Sequence, residues 1–256
     1  MAADQTGGTV VTGRAHRFVT TGCLTVLIAL ITVLGVVVGS LWYRHWHDGT
    51  VNSDRRDEAY ASILKQARAD ADDTVRALGE SGATDADTLT GVIWRHSKAP
   101  VITYDDSSRG FTATARRFTE YEEKAIWGGG PVRVTRCFVV IYTPGAGRAW
   151  TSRVSERDDA VCRPATEIDG LAQLVRKRIG SMYPEDLTKA GVRKALDPLG
   201  KQRSYDVRSV VREADTVTVL AVLSTADATT SQCYRVARPA DDAIPDSTTA
   251  VPASSC

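Results

Sequence analysis

From Phe18 to Tyr43 the chain carries no Asp, Glu, Lys, Arg or His, and Leu24 to Val38 is aliphatic apart from Thr25, Thr32 and Gly35. A helix over residues 18–43 reaches about 39 Å at ~1.5 Å per residue. That length crosses a hydrocarbon core of ~30 Å. The pattern predicts one transmembrane helix, preceded by a short tail over residues 1–17. The tail holds Arg14 and Arg17, and Trp42, Tyr43 and Trp46 form an aromatic girdle at the far end. The apolar run exceeds the ~7–15 residues of a signal h-region, and Val38-Gly39-Ser40 is a poor cleavage site. The expectation is an uncleaved signal-anchor. Cys23 opens the apolar run, whereas a lipobox cysteine closes one, so it is not a lipoprotein site.

Beyond the span the period changes. Tyr60, Ile63, Leu64, Ala67, Ala71, Val75 and Leu78 recur at three- and four-residue steps, predicting a helix over 53–79 capped by Asp54 and Asp57. A second helix is expected from Asp85 to His96. Strands follow at 99–105, 110–121, 132–142 and 148–156, with Pro144-Gly145-Ala146-Gly147 as a hairpin turn. Gly128-Gly129-Gly130-Pro131 reads as a loop before a strand. After Cys162 the pattern restarts, with a helix over Glu167–Met182 and another from Pro184 to Leu196. Three strands are expected at 204–212, 216–224 and 231–238, and the tail from Pro239 reads as irregular. The fold class is α+β: a transmembrane helix (18–43), a module at 44–162 and a second at 163–256.

The two modules echo each other. Thr88-Leu89-Thr90-Gly91-Val92 answers Asp186-Leu187-Thr188-Lys189-Ala190, Tyr104 answers Tyr205, and Cys137-Phe138-Val139-Val140 answers Cys233-Tyr234-Arg235-Val236. Cys162 follows Cys137 by 25 positions and Cys256 follows Cys233 by 23. This is the signature of a diverged tandem duplication. If each copy carries its own bridge, the disulfides are Cys137–Cys162 and Cys233–Cys256. Four cysteines allow three pairings, and the other two stay open. An even set of cysteines beyond the span points to an oxidising compartment.

A short tail, one span and a cysteine-bearing outer domain resemble the layout of single-pass membrane proteins common in actinobacteria. Arg-rich, Lys-poor usage with Asn52 as the only Asn agrees with GC-rich codons. A helix followed by consecutive antiparallel strands resembles cystatin-like and NTF2-like α+β rolls. Tandem copies behind one span are similar to membrane-bound subunits of secretion and conjugation machines. These resemblances are of layout and imply no activity.

Charge narrows the partners. The chain has 32 Lys+Arg and 31 Asp+Glu. Arg14, Arg17 and Asp4 precede the span, which leaves 30 of each beyond it. With no basic excess to neutralise phosphates, nucleic acid is not an expected partner. Candidate chemistry is sparse. His96 ends a predicted helix, where a cationic imidazole suits the dipole. His45 and His47 flank Trp46 in the interfacial collar, and no Cys-x-x-Cys supports a zinc site. Asp70-Ala71-Asp72-Asp73 reads as a solvated helix face and Asp105-Asp106-Ser107-Ser108 as a hairpin turn. No cofactor motif occurs. Gly35 and Gly39 form a G-x-x-x-G, a spacing that lets two helices approach and dimerise.

These observations predict a non-enzymatic binding or scaffolding protein at the cell envelope, held in the lipid bilayer. Its N-terminus would be cytoplasmic and its C-terminal domain extracellular. Its partners would be an envelope protein and a second copy through the transmembrane helix. The alternatives are a subunit of a secretion or conjugation assembly and a carboxylate-dependent envelope hydrolase.

Overall fold

A computed structural model of the chain describes residues 15–125, 128–147, 149–200, 204–241 and 247–256, with side chains from residue 24 onward. Arg14 lies outside the described residues, as do the side chains of Arg17 and Cys23. The fold is α+β. One long helix is followed by shorter helices and two four-stranded antiparallel sheets.

Helix α1 runs unbroken over Ala15–Ser81, 67 residues. The gap expected between the span and the helix over 53–79 is absent. Gly49, Thr50, Asn52 and Ser53 are poor helix formers, yet each finds a place in the turn. Thr50 Oγ1 donates to the carbonyls of Trp46 and His47 (3.2 and 2.8 Å). No helix therefore begins here for Asp54 and Asp57 to cap, and Asn52 bonds elsewhere. Its Nδ2 donates to Lys124 O (2.6 Å) and its Oδ1 accepts from Lys124 N (2.9 Å). Arg55 Nη1 donates to Glu122 O (2.8 Å) beside it.

The chain divides into two compact units, Met1–Arg56 with Glu122–Val132, and Asp57–Tyr121 with Arg133–Cys256. Both sheets belong chiefly to the second unit. In the first sheet, strands β1 (Val101–Asp105), β2 (Gly110–Glu123), β3 (Gly130–Pro144) and β4 (Trp150–Arg157) follow in chain order. Gly130 and Pro131 open β3 rather than forming a loop. One face packs on α1 and on α2 (Ala86–Ser97). Helix α1 presents Ala59, Ile63, Ala67, Ala71 and Leu78, and the alanines let it lie close against Val134, Phe138, Phe111 and Val140. Asp85 caps α2, its Oδ1 accepting from Thr88 N (2.8 Å).

The second sheet repeats the order with β5 (Tyr205–Glu213), β6 (Thr216–Ser224), β7 (Ser231–Pro239) and β8 (Thr249–Ala253). The tail expected to be irregular therefore supplies a fourth strand. Helix α3 covers Asp159–Gly180, starting eight residues before the expected Glu167. The boundary at 162/163 between modules 44–162 and 163–256 thus falls inside a helix. A single 3-10 turn, Pro184–Asp186, precedes α4 (Lys189–Leu196), whose N-cap is Thr188. Burial alternates strictly on β6, where Val217, Val219, Ala221 and Leu223 face Ile168, Val175 and Ile179 of α3 and Val192 and Leu196 of α4. Two sheets of one strand order, each with its own helices, fit the tandem arrangement.

Candidate functional site

Gly35 and Gly39 lie on the part of α1 where every residue from Leu24 to His47 is exposed. A methyl group added at either glycine meets nothing within 4 Å. The aliphatic residues between Leu24 and Val38 are likewise uncovered. Among the described residues this is the one helix long and apolar enough, by length and composition, to cross a membrane.

The structure joins Cys137 to Cys162 and Cys233 to Cys256, with Cα–Cα distances of 5.6 Å in both. Each bridge leaves the third strand of its sheet and lands just past the fourth. Cys137 lies on β3 and Cys162 in the first turns of α3, while Cys233 lies on β7 and Cys256 beyond β8. The first bridge is fully buried, and Cys162 Sγ lies 3.4 Å from Ala115 O. In the second, Cys256 is exposed.

His96 sits in the last turn of α2. His47 stacks parallel to Tyr43 at 6.0 Å. No group of metal-ligating side chains occurs among the described residues. Asp105 closes its hairpin, accepting from Ser107 N (3.0 Å) and from the hydroxyls of Ser107 and Ser108 (2.7 Å each). Those bonds, the Ser108 hydroxyl first, hold its carboxyl below the usual range. Asp72 and Asp73 are exposed as expected of a solvated face, but Asp70 is half-buried. It pairs with Arg117 at 2.7 Å, and Arg117 also donates to Ser97 O at the end of α2.

Sequence reasoning missed the junction between the two sheets. Gln232, buried on β7, accepts from Ile102 N (2.9 Å) and donates to Ala253 O (2.8 Å). Tyr234 Oη donates to Pro100 O (2.7 Å). Asp87 of α2 pairs with Arg235 and accepts from Ser254 N (3.0 Å). Val101 of β1 joins the core of the second sheet. One main-chain stretch, Ala99–Ile102, is thereby held by directed bonds that a purely apolar contact would lack. The available signal was that Gln232 falls on the same parity as Tyr234 and Val236.

Two concavities flank these elements. Over the junction, a cleft of about 410 Å³ lies between α2, α3 and β7, lined by Trp94, Lys98, Asp169, Gln173, Arg176 and Tyr234. Lys98 ends α2 in the left-handed region (φ 51°) and sets its Nζ 4.5 Å from the Trp94 ring centroid. Desolvation raises Asp169 above the ordinary carboxylate range, opposed by its bond from Gln173 Nε2 (2.7 Å). Burial, then the charge of Asp169, pushes the Tyr234 phenol up. Asp169 is the carboxylate among its described lining residues.

The second concavity, about 290 Å³, lies at the end of α1 where the β1–β2 and β3–β4 turns meet. Its aromatic wall is Tyr104 and Trp150. Phe111 lies beneath, its ring centroid 4.8 Å from Tyr104 and 6.0 Å from Trp150. Small residues, Gly79, Gly82 and Ala149 among them, also line it, and Thr84 and Arg109 supply polar groups.

With this geometry in hand, comparison with known proteins gives nothing to add: no protein-family model, curated protein or solved structure matches the chain.

Proposed function

We propose that the chain is a membrane-anchored protein of the cell envelope that acts by binding or scaffolding rather than by catalysis. The observation that carries this reading is the joining of two features. One is the uncovered apolar helix segment Leu24–Val38, and the other is a body of two sheets each tied by a disulfide. Disulfides persist in oxidising compartments, which favours an outer location for the modules and a cytoplasmic residue 1–17 tail. The bonded junction at Asp87, Gln232 and Tyr234 suits a platform that holds two surfaces in register for a protein partner.

Intact cells treated with a membrane-impermeant amine reagent provide the test. Lys65, Lys98 and Lys177 should be labelled before lysis, and the protein should stay in the membrane after an alkaline carbonate wash. Labelling that begins only after lysis, or release by the wash, overturns the reading. Gly35 and Gly39 offer a seam for a second copy of the helix. Gly35→Leu or Gly39→Leu should abolish self-association in a membrane reporter assay, and an unchanged signal removes the homodimer. Tandem sheets behind one apolar helix also favour a subunit of a secretion or conjugation assembly. That reading predicts further membrane proteins crosslinked to this chain in intact cells.

A further inference from the structure

The concavity at the end of α1 has unusual walls for a structural gap. Tyr104 and Trp150 are only half-buried, and the buried ring of Phe111 backs them. Among the described residues, Tyr104 Oη, Trp150 Nε1, Thr84 Oγ1 and the Arg109 guanidinium make no hydrogen bond to protein, although all four residues line the space. Arg109 sits at φ 53° beside Gly110, where glycine carries no steric penalty. Among the described residues the lining contains no carboxylate.

A ligand that satisfies these groups needs a flat apolar face for the rings, several hydroxyls for Tyr104, Trp150 and Thr84, and one negative charge for Arg109. A fatty or purely aromatic acid supplies the face and the charge but offers no hydrogen-bonding partner to the three polar groups. A neutral sugar leaves the guanidinium without its counter-charge. The volume suits one sugar unit with its substituents rather than an extended chain, and it lies near the lower end of typical ligand pockets.

We infer that this pocket binds an acidic saccharide. A pyranose ring stacks on Trp150 and Tyr104, its carboxylate pairs with Arg109, and its hydroxyls bond Tyr104 Oη and Thr84 Oγ1. Arg is suited to the last contact because its planar fork matches a carboxylate. The inference rests on reading the chain as a binding module and names the ligand class for it. It makes no use of membrane sidedness, so the labelling experiment and the one below fail independently.

The test is saturation-transfer NMR on the full chain in lipid nanodiscs, with D-glucuronate, methyl glucoside and phenylpropionate as separate probes. D-glucuronate should receive magnetisation on its ring protons, and the other two should receive far less. Arg109→Glu, on an exposed turn, should remove the glucuronate signal without shifting the melting temperature. Tyr104→Phe keeps the ring and removes only the hydroxyl, and should weaken glucuronate binding about three- to tenfold, the fold-change of one ~1 kcal/mol hydrogen bond. Absence of transfer to glucuronate, transfer that persists in Arg109→Glu, or preferential binding of phenylpropionate overturns the inference.

Discussion

Both sheets send an arginine to the C-terminal end of a helix, and the two arrangements differ instructively. In the first, Arg117 of β2 reaches Ser97 O at the end of α2 and shares its charge with Asp70 of α1, at a site where both side chains keep some contact with water. In the second, Arg238 of β7 is 1 % exposed. Its Nη1 donates to Ile179 O (3.0 Å), Gly180 O (3.4 Å) and Met182 O (2.7 Å), and its Nε to Pro239 O (2.9 Å). The last carbonyls of a helix lack intrahelical partners, and those of α3 end inside the core. One cation answers several of them at once. The same device thus works as a rim contact in one module and as an interior plug in the other.

Removing the plug should have the largest effect. Arg238→Ala leaves buried carbonyls unpaired and a cavity behind them, and should cost about 3 kcal/mol or more in urea unfolding. A loss under 1 kcal/mol would dissolve the contrast. The bridges come next. Replacing either cysteine pair by alanine should cost roughly 3 kcal/mol, since the closed loops are of similar length. Their accessibility should separate them. Under native conditions a dithiol should open Cys233–Cys256 before the buried Cys137–Cys162, as read by alkylation and mass spectrometry. Arg117→Ala should be milder, about 1–2 kcal/mol, because water reaches the groups it abandons. Smallest is the α2 cap. Bonds from Thr88 depress the Asp85 pKa below its ordinary 3.8, so its contribution is present above that value and is lost as pH falls through the lower, folded one. Asp85→Asn should therefore flatten the acid limb of the stability profile below about pH 4 and leave neutral pH nearly unchanged. An unchanged acid limb would remove Asp85 from that role.

The apolar helix, the hairpins and the cysteine-bearing strands were legible because each depends on local period or turn chemistry. The exceptions each have a physical cause. Strand β8 carries Pro252, which reads as a breaker, yet an edge strand tolerates proline because one side of its backbone needs no ladder bonds. Helix α3 runs through Pro164, whose missing N–H would have met Ala160 O. Ala160 is exposed, so water can serve that carbonyl. Helix α1 continues past Asn52 because that amide is engaged by Lys124, a partner 72 positions away. The junction and the aromatic pocket were invisible for the same reason. Asp87 with Arg235, and Tyr104 with Trp150, are brought together only by tertiary pairing.

A guanidinium holds its proton at any acidity a cell surface meets. The seal that Arg238 places on α3 is therefore indifferent to acid and alkali alike. A lysine in the same socket, stripped of water, would discharge readily and turn the closure into a valve. Through swings in acidity the guanidinium keeps its charge and its hold on Ile179 O and Met182 O.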